Sequence, residues 1–289
     1  MQLTNLLIIK DCSTFSDPLV SSLAQLVNVT VLPYDWFEWG SKYSVNAFTI
    51  LGLDRLLWKQ RFRHFKSKNF DAVLEIEPPI KRRLNLKPLK VNKRILYMLD
   101  PLPWNRWKKV PLEDYDTVFV GQKAAALDGR KWLPYGVDTT IFRSYPSNLP
   151  KYACTFVGTY YGFRKAIFEQ LAGTITAFEG KYGHDCCRIY NNSESALSLS
   201  GNLLAARPFE ILACKTACIA YDTGSGLETL FQDGRHLSIA HTISELKEKI
   251  AYYSNNPEER SQMASDGYQQ TLKYHTWANR AQEIVDELR

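Results

Sequence analysis

Long apolar runs are missing from these 289 residues, and no stretch reaches the roughly 18 consecutive apolar residues that a membrane helix needs. Met1–Lys10 is too short and wrongly flanked for a signal peptide, so a cytoplasmic location without stable membrane insertion is expected. Cysteine is sparse as well. None of the six has Cys-x-x-Cys spacing to another, which points to ordinary reduced thiols rather than a disulfide framework or a metal knuckle. Low-complexity tracts and solenoid repeats are absent too. Net charge is unevenly spread, with the basic excess in one half. Residues 1–150 carry 22 Lys+Arg against 14 Asp+Glu, a balance of +8, and the remainder carries 14 against 16, a balance of −2. What is present, 45% hydrophobic and 23% charged residues, is the composition of a globular chain long enough for two ordinary domains.

Strand-like runs recur through the first half at Asn5–Lys10, Val29–Leu32, Phe70–Ile76, Arg94–Leu99, Thr117–Val120 and Trp132–Pro134. Their near-continuous apolar character is that of a parallel sheet covered on both faces. Between the second and third, Val45–Lys68 has helical spacing with a cationic outer face. Tyr145–Pro150 lacks periodicity and reads as a linker. The second half restarts with a strand at Ala153–Val157 and a helix at Arg164–Leu171. Strands near 174–178, 187–190 and 195–200 follow, then helices at Ile243–Tyr253 and Pro257–Lys273, with Thr276 as the N-cap of a last helix. The expected architecture is α/β: two Rossmann-like domains with parallel sheets facing across a cleft, at 1–147 and 148–272. A C-terminal helix, 273–289, is expected to return to the first domain.

The most informative stretch is 207–236. It reads as a helix (207–214), a buried strand (216–221), a Gly-rich turn (222–226), a short helix (227–231) and an Asp-Gly turn. Open α/β sheets bind ligands at the carboxyl ends of their strands, where this turn falls. A nucleotide diphosphate needs backbone N–H groups at helix N-termini and a cation or two. Gly158–Gly162, followed by Arg164 and Lys165, offers one such cradle. The turn holding Thr223, Gly224, Gly226, Leu227 and Glu228 offers a second. A ribose needs a carboxylate to accept from its hydroxyls, for which Glu210 is suited; Arg207, one turn earlier, either pairs with Glu210 or binds phosphate.

Four motifs carry a resemblance. Arg-Pro-Phe-Glu-Ile-Leu-Ala-Cys (207–214), Gly-Leu-Glu-Thr-Leu-Phe-Gln-Asp-Gly-Arg-His (226–236), Asn-Pro-Glu-Glu-Arg (256–260) and Tyr-His-Thr-Trp-Ala-Asn-Arg-Ala (274–281) stand in an order that resembles the C-terminal domain of CgeB-like GT-B glycosyltransferases. Trp132-Leu-Pro-Tyr-Gly-Val-Asp138 is similar to the segment that leaves their first domain. The resemblance implies a metal-independent hexosyltransferase. It needs no cofactor beyond a nucleotide-sugar donor, a UDP-sugar being the expected one, held mainly by the second domain. It places Glu210 where related retaining enzymes keep a ribose-binding Glu. The partner acid of their Glu-x7-Glu pattern falls on Asn202, and Lys215 stands where a glycine is usual.

Such a reaction stabilises the leaving diphosphate with cations and helix N-termini, for which Arg164, Arg207 and the 224–228 turn are candidates. An inverting reaction needs a general base from the first domain. Asp100, after the fourth strand, is the first candidate and Asp11, after the first, the second. Acceptor choice is expected in the basic, Trp-bearing segments holding Arg82, Arg83, Trp104, Arg106 and Trp107. Cations interleaved with aromatics suit a polyanion with stackable bases, so an anionic acceptor is expected, DNA with a hydroxylated base among the candidates.

Overall fold

A computed structural model of the chain describes residues 4–10, 14–33, 63, 65, 68–78, 86–100, 110–145, 152–160 and 162–289. The helix expected at Val45–Lys68 lies almost wholly outside them. The described chain separates into two compact units. The first comprises Met1–Gly121, Ala125–Leu133 and Ala281–Arg289; the second comprises Gln122–Ala124 and Pro134–Arg280.

In the first unit the apolar runs become strands β1 (Asn5–Lys10), β2 (Asn28–Pro33), β3 (Ala72–Ile76), β4 (Lys93–Met98), β5 (Thr117–Val120) and β6 (Lys131–Trp132), with helix α1 (Asp17–Ala24) joining the first two. All pair in parallel, in the order β2-β1-β3-β4-β5-β6. Side chains alternate between faces along a strand, so continuous apolar runs bury both faces. Leu7, Ile9, Val73, Leu96, Met98 and Val120 enter one core cluster, while Leu6, Ile8, Leu74 and Ile95 on the alternate positions are buried as well. Carboxylates pin the amino ends of this sheet: Asn5 N donates to Asp71 Oδ2 (2.7 Å) and Arg94 N to Asp116 Oδ2 (2.7 Å).

The second unit holds β7 (Tyr152–Val157), α2 (Phe163–Gln170), β8 (Thr176–Phe178), α3 (His184–Asn191), β9 (Ser193–Gly201), α4 (Arg207–Ala213), β10 (Ala217–Asp222), β11 (Ser238–Ala240), α5 (Ile243–Asn255), α6 (Pro257–Tyr274) and α7 (Trp277–Asp286). Its parallel sheet runs β11-β10-β9-β7-β8. Phe156, Leu197, Leu199, Ile219, Leu246 and Met263 form its core. The strand expected near 187–190 is instead the end of α3. Cys186, Cys187 and Tyr190 are buried, an i, i+1, i+4 set that lies on one helical face, and so short an apolar run does not reveal its period in the sequence. Thr276 does cap α7: its Oγ1 accepts from Asn279 N at 3.2 Å. Helix α6 presses close to the chain at Gly267, where an added Cβ would lie 2.1 Å from His236 O.

Residues 134–145 cluster with the second unit, ahead of the expected domain boundary at 147. Two contacts fix them there: Val137 bridges to Thr276, and the buried Arg280 donates from Nε to Pro134 O at 2.9 Å. At the other end of α7, Glu287 belongs to the first unit, where it bonds Lys131 and accepts from Thr117 Oγ1 at 3.2 Å.

Candidate donor site in the second unit

Sheet order locates the site. From β7 the chain crosses to β8 on one side, and from β9 it proceeds to β10 and β11 on the other, so the direction of winding reverses between β7 and β9. Loops after these two strands diverge and leave a crevice at their carboxyl ends. The loop after β7 carries Gly158–Gly162, and the loop after β9 carries Asn202 and leads into α4 with Arg207 and Glu210. The Thr223–Glu228 turn follows β10, one strand further out.

That last turn is built on an acid. The β9–β10 register slips between Tyr221 and Asp222, so that Asp222 pairs with Gly201. Such irregularities re-aim side chains at sheet rims. Asp222 is fully buried, and its carboxylate accepts from Gly224 N (2.7 Å), Ser225 N (2.8 Å) and Ser225 Oγ. His241 donates from Nδ1 to Asp222 O at 2.8 Å, which fixes its tautomer. Two of the amides expected to cradle a diphosphate at Gly224–Gly226 are already bound by Asp222. No hydrogen bond among the described residues uses the next three, Gly226, Leu227 and Glu228. Gly226 has φ +93° and could not carry a side chain without striking Lys123, whose Cδ would lie 2.5 Å from an added Cβ.

Helix α4 brings Arg207 and Glu210 together on its first turn, three residues apart, at 2.8 Å between Nη1 and Oε2. The same Nη1 lies 3.2 Å from Cys186 Sγ and 3.4 Å from Tyr190 OH. Of the two readings of Arg207, pairing with Glu210 is the one observed. Burial pushes the Glu210 carboxyl above its ordinary pKa, and the adjacent guanidinium offsets part of that rise. Glu210 Oε1 has no hydrogen-bond partner among the described residues, so one carboxylate oxygen remains to accept from a ligand's hydroxyls.

Across the crevice, Arg164 donates from Nε to Leu199 O (3.0 Å) and from Nη1 to Thr159 O (3.4 Å), and its guanidinium lies 5.8 Å from the Phe156 ring. It ties the loop after β7 to the end of β9. In the same loop Gly158 N donates to Phe178 O and Tyr160 N to Glu179 Oε1, so these amides too are satisfied by the fold. Asn202 is exposed at the mouth of the loop after β9. Lys165 is exposed on α2.

In the first unit the winding reverses between β1 and β3. Asp100 is exposed after β4, one strand away, and its N–H donates to Glu77 Oε1 at 2.9 Å. Glu77 itself stands at the end of β3, beside the reversal, in a left-handed conformation (φ +48°) that non-glycine residues adopt at a cost. Asp11, Arg82, Arg83, Trp104, Arg106 and Trp107 all lie outside the described residues.

The sequence reading missed Asp222, Glu77, Gln122 and Lys123. Gln122 exchanges two buried hydrogen bonds with one backbone residue: Nε2 donates to Leu204 O (2.9 Å) and Leu204 N donates to Oε1 (2.8 Å). It thereby anchors the loop between β9 and α4, and the adjacent Lys123 stem covers Gly226. No local pattern announces a contact over 82 residues; only Asp222, an acid closing an apolar strand before Thr-Gly-Ser-Gly, left a signal. An Asp-x-Asp spacing does occur in the first unit, Asp114-Tyr115-Asp116. Its acids serve the amino edge of the first sheet, Asp116 accepting from Arg94 N and Asp114 pairing with Lys87 at 3.1 Å.

Residues 140–286 match the glycosyl transferase-like family, and the chain belongs to that family. Among solved structures, the chain is similar to a glycosyltransferase from Rickettsia africae ESF-5, with 12% identity over 99% of this chain and 98% of that one and a TM-score of 0.63. It is also similar to an alpha-glucosyltransferase in complex with UDP-glucose and DNA containing an abasic site (10%, 100% and 100%, TM-score 0.67). A third similar structure is Anabaena Alr3699/HepE in complex with UDP and glucose (10%, 99% and 99%, TM-score 0.67). No curated protein matches the sequence. The two parallel-sheet α/β units are thus those of the GT-B fold, and the chain is a glycosyltransferase.

Proposed function

We propose that this glycosyltransferase is of the CgeB-like type and moves a hexose from a UDP-sugar to a hydroxyl on an anionic acceptor, DNA bearing a hydroxylated base. The observation that carries the donor half is the grouping at the carboxyl ends of β9 and β10. There Glu210 keeps one carboxylate oxygen open while Arg207 holds the other, and Asp222 shapes a turn whose Gly226–Glu228 amides are left for an anion. Glu210 accepts from the ribose hydroxyls. Backbone N–H groups at 226–228 stabilise the diphosphate as the glycosidic bond breaks, acting where negative charge develops. Arg207 keeps Glu210 ionised and oriented.

Asp100 is the proposed base toward the acceptor hydroxyl, with Asp11 second, and Arg82, Arg83, Trp104, Arg106 and Trp107 are the proposed acceptor contacts. The acceptor is supported by the +8 balance of residues 1–150 and by the solved neighbour that holds both UDP-glucose and DNA. Radiolabelled UDP-glucose incubated with duplexes containing 5-hydroxymethylcytosine or unmodified cytosine tests it. Label transferred only to the hydroxylated duplex is expected, with binding that weakens steeply with salt. Turnover of donor without transfer to either duplex, and no salt-dependent DNA binding, rejects the DNA acceptor while leaving the donor half intact.

A further inference from the structure

A second polar cavity lies at the opposite, amino-terminal ends of the second sheet's strands. It measures about 320 Å³ and is lined by Glu194 at the start of β9, Lys215 between α4 and β10, and Arg260, Ser261, Ala264 and Ser265 on α6. None of these residues belongs to the candidate donor site. Arg260 is fixed rather than free. Its side chain is 11% exposed, donates from Nη1 to Tyr253 O (2.5 Å) and Ser254 O (3.3 Å), and pairs through Nη2 with Glu194 Oε2 at 3.0 Å. Lys215 differs: it is exposed and forms no ion pair or side-chain hydrogen bond among the described residues. The hydroxyls of Ser261 and Ser265, one turn apart on α6, are likewise unbonded there, although helical serines usually return such a bond to the preceding turn.

Backbone conformation adds a separate observation. Lys215 follows the C-cap of α4 with φ +57°, a position at which helices favour glycine because a side chain is strained. The strain brings a lysine side chain to the cavity rim. With Arg260 neutralised by Glu194, the cavity keeps one uncompensated positive charge beside two free hydroxyls, and its remaining room is lined by groups that bond polyols.

We propose that this cavity is a second ligand site, which takes a phosphomonoester bearing hydroxyls, a small sugar phosphate. Lys215 and the two serines receive the phosphoryl group, and the Arg260–Glu194 pair receives the hydroxyls. Lys215 N donates to Leu212 O at the end of α4, which ties the cavity rim to the helix whose first turn carries Arg207 and Glu210. The assignment of the cavity stands independently of the donor reading.

Calorimetric titration with glucose 6-phosphate, and with inorganic phosphate in a second arm, tests the site in the full chain with saturating UDP present. Glucose 6-phosphate is expected to bind despite the UDP and more tightly than inorganic phosphate. Lys215→Gly removes the cation and relieves the strain, so it should leave the thermal midpoint equal or higher while weakening binding roughly tenfold, the loss of one charged hydrogen bond. Ser261→Ala with Ser265→Ala should weaken it further in the same folded background. Equal affinity in the wild type and Lys215→Gly, displacement of the sugar phosphate by UDP, or no binding of either probe overturns the proposal. Failure of UDP itself to bind bears on the donor site alone.

Discussion

Two acids with no exposed surface, one in each unit, serve opposite ends. Glu75 sits mid-strand in β3, between Ile9 and Leu96 on the neighbouring strands, and receives the Tyr115 hydroxyl inside the core. Asp222 sits at the end of β10, where the register slips, and gathers two amides and a hydroxyl of a turn. Each carboxylate offers several lone-pair sites, and hydrogen bonds to them offset the cost of burial. Glu75 takes a scaffold hydroxyl on Oε2. Asp222 takes its donors from a loop, so its burial fixes where the remaining amides of that loop point. The comparison teaches that burial alone does not mark function; what matters is whether the partners belong to the sheet or to a segment at the carboxyl ends of strands.

Asp222→Ala leaves the Gly224 and Ser225 amides without their acceptor, and a loss of about 3 kcal/mol in urea unfolding is expected together with loss of nucleotide-induced stabilisation. Unfolding cost with unchanged nucleotide response would put Asp222 in the same structural role as Glu75.

Acid should act on the second unit through His275. Burial, followed by the Arg280 charge, lowers its pKa from 6.5 to about 4. The unfolded chain takes up the proton first as pH falls, so this stability is complete above pH 6.5 and is lost progressively down to pH 4. The window corresponds to about 3 kcal/mol, and His275→Gln should flatten the slope there in pH-dependent denaturation.

Smaller effects follow at the turn and in the core. Gly226→Ala meets both the positive φ and the Lys123 stem, and a cost of about 1–2 kcal/mol is expected. Adding Lys123→Ala should recover the steric part and leave the backbone part, which a double-mutant cycle separates. Glu75→Gln keeps an acceptor for Tyr115 and should cost about 1 kcal/mol with no change in nucleotide affinity.

Legibility in the sequence followed the range of the interaction. The β-runs and the Thr276 cap rest on neighbours within a few residues, and both the parallel sheets and the capped helix stand where the pattern put them. Arg207 and Glu210 were legible because a helix fixes the i, i+3 geometry once the helix is recognised. Cys186–Tyr190 misled because four or five apolar residues fit either period. Gln122 and Lys123 were silent, since their partners at 204 and 226 meet them only after the chain has laid down β9 and β10 respectively. The turn at 222–226 was found, but only the folded register shows that Asp222 points inward and claims two of its amides.

The central claim is that the crevice beside Glu210 holds a nucleotide sugar, and a thermal-shift titration of the wild type and Glu210→Gln with UDP and UDP-glucose tests it most directly. The account predicts a rise in the wild-type midpoint with both ligands. For Glu210→Gln it predicts a ligand-free midpoint near that of the wild type and affinity at least roughly tenfold weaker. No response of the wild type to any UDP-, GDP- or dTDP-sugar, or an identical response from Glu210→Gln, would contradict it.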